Sequence, residues 1–326
     1  MLRTDLTRDN SLIADVRHAK LITPWWLAIP IGGGLLILVT AVLAPLAAIP
    51  LGVASKAVAP SVHAAYFSSI LTILAFGFTA LVLLLWVRLV ERRPFHTIGF
   101  RPRHALLGVA LGVGTALLFT TLVMGGLHLL GMLGPAPGNA GPIGLAALQG
   151  IMIAALTYAV QASTEEMIYR GWLQNVIAVR IGAPIAIVIA TIAFTAAHSR
   201  NTGFGLLPCV NLVLFAAFLA LLSLRTGGLW ASCAWHATWN WSLNNIWGVP
   251  LSGLEPEGGS AMAFSLTGPA LFTGGAWGPE GGLLATAVLV GATVWAGLWR
   301  GLGDRAAPSP AVAHGHAPAY RAAPPR

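Results

Sequence analysis

Eight apolar windows, most of them near the ~20 residues that a membrane-spanning helix needs, recur along this chain. They lie at about 25–51, 66–90, 105–133, 143–179, 183–198, 205–224, 229–247 and 283–299. With 56% hydrophobic and only 9% charged residues, and a mean hydropathy of +0.78, the chain has too little polar surface to cover a soluble globule. The runs are too continuous for the alternation of a transmembrane barrel. The expected fold is an all-α integral membrane protein of about eight helices with a polar intramembrane cavity.

Basic residues set the expected orientation. With a cytoplasmic N-terminus, the Lys and Arg residues before the tail fall inside, except Lys56 and Arg200. The proposed outer loops, Pro135 to Gly141 and Gly248 to Gly282, lack Lys and Arg and carry Glu255, Glu257 and Glu280. Both termini are therefore expected in the cytoplasm and the chain in the cell membrane. The net charge of +8 follows from this topology rather than from nucleic-acid binding.

The expected organisation is a cytoplasmic segment 1–22, one membrane domain 23–300, and a disordered Ala/Pro-rich tail 301–326 in which His314 and His316 are weak metal candidates. Segment Glu91 to His104 reads as a basic loop held by anionic headgroups. Cys209 and Cys233 fall at opposite ends of neighbouring segments, which argues against a disulfide. The first apolar run is too long for a cleavable signal peptide.

Within this apolar background two adjacent carboxylates stand out, Glu165 and Glu166. An ionisable group at membrane depth costs at least ~2.5–3.5 kcal/mol on insertion scales, which makes such a pair a functional candidate. In Glu165-Glu166-Met167-Ile168-Tyr169-Arg170, Arg170 lies four residues after Glu166 and can neutralise it. Glu165, about 100° around the helix, is then free to act as a base. A second pattern ends at His198 (Phe194 to His198), and a third pairs His236 with Asn240 four residues on.

Glu165 and His198 are equidistant from the turn expected at Ile181 to Gly182, beside Pro184, and so share a depth. His236 fits less well, only ~13 Å beyond the Gly227-Gly228 turn against ~24 Å for Glu165 at 1.5 Å per residue. The expected remedy is that Trp172 to Arg180 lies along the membrane interface. A carboxylate, two histidines and an asparagine around one cavity suggest hydrolysis: Glu165 activates water, and His236 or Asn240 stabilises the oxyanion. Alternatively His198, His236 and Glu165 form the ligand set of a catalytic zinc.

The patterns Glu-Glu-x-x-x-Arg, Phe-x-x-x-His and His-x-x-x-Asn, in this order over 164–280, resemble the CPBP family of intramembrane proteases, which includes the CAAX prenyl endopeptidases and bacteriocin-processing or immunity proteins. The Gly-rich stretch Thr273 to Gly282 and the Arg-Pro-Phe-x-x-x-Gly-Phe stretch resemble its bacterial branch. The resemblance implies an endopeptidase with a cavity open to the cytoplasm. Glu165 would activate water, Glu166 and Arg170 would support it, and His198, His236 and Asn240 would complete the site. It implies a protein or peptide substrate at the lipid bilayer and leaves metallo- and glutamate-type chemistry both open. The Ala/Gly/Pro-rich composition argues against a prenylated substrate. A non-catalytic peptide- or toxin-binding protein is the alternative, and a proton-coupled transporter, which would need inverted repeats not visible here, is a weaker one.

Overall fold

A computed structural model describes residues 10–17, 19–38, 60–136 and 141–302. The tail histidines, Lys56 and the later part of the first apolar window lie outside these. The chain is helical as its composition requires. The elements are α1 (Ser11–Arg17), α2 (Trp25–Leu38), α3 (Pro60–Leu85), α4 (Ala105–Leu129), α5 (Leu148–Glu166), α6 (Gln174–Ile181), α7 (Ala183–Ala197), α8 (Leu206–Thr226), α9 (Trp230–Trp241) and α10 (Leu283–Leu298). Tyr66–Val90, Ala105–Leu129, Gly144–Ile181 and Leu206–Thr226 are long and apolar enough to cross a membrane. Shorter apolar helices cover Trp25–Leu35, Ala183–Ala197 and Leu283–Leu298.

The centre of the bundle is α9, packed between α4, α5 and α8. Small residues permit this. A side chain at Gly112 on α4 would run into the backbone of Ala231 and Trp235, so the two helices touch main chain to main chain. Trp235 and Trp239, both fully buried on α9, stack at 4.9 Å and fill the space towards Phe215 and Phe218 on α8.

The two ends of the bundle differ. At the first, α1 docks on α6, with Asn10 donating to the Leu224 carbonyl and Asp15 paired with Arg101. The loop after α3, expected to be held by anionic headgroups, is instead bolted down from within: Glu91 and Arg93 are fully buried and paired at 2.7 Å. Glu91 also accepts from Thr23 Oγ1 at 2.7 Å and Trp172 Nε1 at 2.9 Å. A lone buried charge there would be costly, so these partners explain why two ionic groups survive inside an apolar packing. Arg88 and Arg92 stay exposed, as a basic loop predicts.

At the second end a short antiparallel ribbon joins β1 (Leu133–Pro135) to β2 (Phe264–Leu266), with Gly134 opposite Ser265. α4 consequently stops at Leu129, short of the expected 133. The Gly-rich stretch packs against α8 and α10. Gly278 takes φ +96°, and a side chain there would strike the Pro250 carbonyl, so only glycine fits. Cys209 and Cys233 are free, as their separation predicts.

Candidate active site

α5 does not break after the carboxylate pair. It passes into a π-helical segment, Met167–Leu173, and continues as α6. Such wide turns are frequent at functional sites. Every residue from Met167 to Ala178 is buried, so this stretch does not lie along an interface with one face wet; α1, α2 and α7 enclose it.

That burial resolves the depth mismatch. Gly171, rather than Ile181, is level with the α8–α9 turn: a Cβ on it would lie 2.9 Å from Leu229 Cδ1 and 2.5 Å from the Ile98 carbonyl. Glu165 is six residues from Gly171 and His236 seven from Leu229, or about 9 and 10.5 Å at the α-helical rise, so the two sit at similar depth. α6 simply overshoots its neighbours.

The carboxylates have different surroundings. Glu166, fully buried, accepts at Oε1 from Arg170 Nη1 and from His236 Nδ1, both at 2.9 Å. Arg170 is placed further by the Ala216 carbonyl at 3.4 Å and by the Phe194 ring, whose centroid lies 4.4 Å from its guanidinium carbon. Glu165 is 6% exposed, and its Oε2 has no hydrogen-bond partner among the described residues. His236 Nε2 lies 3.9 Å from that oxygen. With Nδ1–H given to Glu166, His236 turns Nε2 towards Glu165.

His198 closes the other side. A carbonyl can only accept, so the 2.9 Å contact between His198 Nδ1 and Phe194 O places the proton on Nδ1 and leaves Nε2 as an acceptor in the neutral ring. Phe194 and Phe215 hold the His236 ring edge-on at 6.0 and 4.9 Å.

Glu165, His198, His236 and Asn240 all line one cavity of about 290 Å³, while Glu166 and Arg170 stand behind it. The three sequence patterns are thus brought together. Sequence reasoning passed over Thr157, Tyr158 and Gln161, which line the same cavity with Glu165. Their helical spacing towards Glu165 is a polar stripe that could have been read directly. Asn244, four residues after Asn240, extends the α9 stripe in the same way. Glu280 had no such signal. It is drawn in from the Gly-rich loop by Trp239 Nε1 at 3.0 Å and Ser252 Oγ at 2.5 Å.

Among the described residues no three His, Cys, Asp or Glu side chains cluster as a metal-ligand set. His198, His236 and Glu165 share the cavity wall without converging on one point.

The cavity mouth is formed by exposed Leu254, Glu255 and Glu257 and by Ser68 and Ser69 near the start of α3. It lies at the ribbon end, the end that the basic residues assign to the outside. A cavity open to the cytoplasm and two cytoplasmic termini are therefore incompatible in this fold.

No curated protein and no solved structure matches the chain. Residues 147–242 match the family model described as Rce1-like, type II CAAX prenyl endopeptidase. The matched span contains all three patterns, from Glu165 to Asn240. That segment of the membrane chain is therefore similar to the Rce1-like family, in line with the CPBP resemblance of its motifs.

Proposed function

We propose that the protein is an intramembrane endopeptidase that hydrolyses a peptide bond of a membrane-associated protein or peptide. The observation that carries this reading is the unequal placement of two adjacent carboxylates: Oε2 of each is unpartnered among the described residues, but Glu166 is tied through Oε1 to Arg170 and His236 behind the cavity, whereas Glu165 lines the cavity wall with His236 Nε2 3.9 Å away. A buried carboxylate left in this state is a ready proton acceptor.

In this mechanism Glu165 takes a proton from water, and the hydroxyl adds to the scissile carbonyl carbon. The Asn240 amide, on the same cavity wall, stabilises the developing oxyanion. Collapse breaks the carbon–nitrogen bond, and Glu165 returns the proton it took from water to the leaving amine. Glu166 and Arg170 act as positioning residues, since they fix the His236 tautomer from behind. We route no step through a metal, because the donors do not converge.

Cleavage of a peptide library by purified protein in proteoliposomes tests the reading. Parent cleavage that disappears in Glu165→Gln supports it, and cleavage retained in Glu165→Gln overturns the base assignment. Absence of cleavage by the parent, with peptide still bound, favours the non-catalytic binding protein. Chelator treatment is expected to leave the rate unchanged; loss of activity together with stoichiometric zinc would replace the proposal with metal-assisted hydrolysis.

A further inference from the structure

The end at which the cavity opens differs in charge from the end at which the helices are plugged. Among the described residues, Arg17, Lys20, Arg88, Arg101, Arg180 and Arg300 belong to the plugged end, as do the other basic residues of the loops joined to it. At the open end the described basic residue is Arg200, which is exposed and does not line the cavity. The lining holds Glu165, Glu255, Glu257 and Glu280 and no Lys or Arg.

Glu280 is committed internally, with one oxygen used for Trp239 and the other for Ser252, while Glu257 accepts the Ser68 hydroxyl and remains an exposed charge at the rim. Glu255 is exposed at the mouth, where it also borders an adjoining cavity of about 820 Å³. At the floor, Glu165 is more than nine-tenths buried with an unpartnered Oε2. A cleft lined by one sign of charge in low-dielectric walls attracts the opposite sign.

We infer that the site takes its substrate from the extracytoplasmic side, and that Glu255 and Glu257 select a polypeptide segment bearing basic side chains. The side follows from the placement of Lys and Arg, which are retained on the cytoplasmic face. The selectivity follows from the sign of the rim, where charge acts on encounter and register more than on the chemical step. The selectivity rests on the peptidase reading only where cleavage is the readout; sidedness and binding do not.

Three measurements test it. In intact cells, Glu255→Cys on a Cys209→Ser background should react with a membrane-impermeant maleimide that the background protein does not take up, while Arg88→Cys on that background should react only after permeabilisation; the reverse pattern overturns the assigned side. The Glu165→Gln protein should bind a fluorescein-labelled peptide with three lysines about fivefold more tightly than its three-glutamine counterpart, and the preference should shrink with added salt. In the Glu255→Gln/Glu257→Gln double variant on that background the preference should fall to near parity. Equal binding of both peptides before the rim is altered overturns the selectivity even if the parent cleaves. Preferential lysine-peptide binding without any parent cleavage overturns the peptidase reading and leaves this inference standing.

Discussion

At the plugged end of the bundle, buried ionic groups are spent on one another. Glu91 holds Arg93, Trp172 and Thr23, while Arg225 gives Nε and Nη2 to the carbonyls of Ala296 and Gly297. At the cavity end, Glu165 is nearly as buried, lines the cavity and has its Oε2 without a hydrogen-bond partner among the described residues. The contrast separates two uses of charge in an apolar medium. A carboxylate paired with a buried cation fixes structure, and one without such a pair at a cavity wall is held ready to receive a proton.

The sharpest test of this contrast is Glu165→Gln. It should lower cleavage by about 10²–10⁴-fold, the span of a lost general base, with little change in melting temperature in detergent. A matching fall in thermal stability would show that Glu165 too serves structure, and the distinction would collapse.

Next come the bonded charges. Arg170→Ala leaves Glu166 with only His236, and Glu91→Ala leaves Arg93 without its carboxylate. Each should cost about 3–5 kcal/mol in denaturant unfolding, as expected when one member of a buried pair is removed. Arg170→Ala should also reduce cleavage, whereas Glu91→Ala should act on stability alone. Activity lost in Glu91→Ala at unchanged stability would break the division between the ends.

Smaller effects probe the loops. Gly278→Ala forces a side chain at φ +96° against Pro250 and should destabilise the Gly-rich loop by about 1–3 kcal/mol, with faster proteolytic nicking near Trp277 as the readout. Asp15→Asn should change stability by at most about 1 kcal/mol, because the Arg101 partner is one-third exposed. A larger loss would mean that α1 is held by that pair rather than by the buried Leu12, Ile13 and Val16.

Much of the site was legible before folding. Glu166 and Arg170 are four apart, as are His236 and Asn240, and helical periodicity alone puts each pair on one face. The fates of Glu165 and Glu166 were also readable, since only Glu166 is in register with Arg170. What could not be read was anything set by a neighbour distant in sequence. His236 Nδ1 reaching Glu166 across 70 residues is one case. Another is the burial of Glu91 and Arg93, which depends on Trp172 and Thr23 arriving from elsewhere.

By itself, then, the sequence determined the helical membrane fold, the positions of the apolar segments and the residues of the three patterns. These depend on hydropathy and on a 3.6-residue period, both local properties. Only the tertiary structure decided that α6 overshoots the α8–α9 turn, that Gly171 rather than Gly182 is the level from which depth is measured, and that the cavity opens among Glu255 and Glu257. These are matters of how deeply one helix slides past another. That is set by main-chain contacts at Gly112 and Gly171 and by the plug of α1, none of which leaves a periodic trace in the chain.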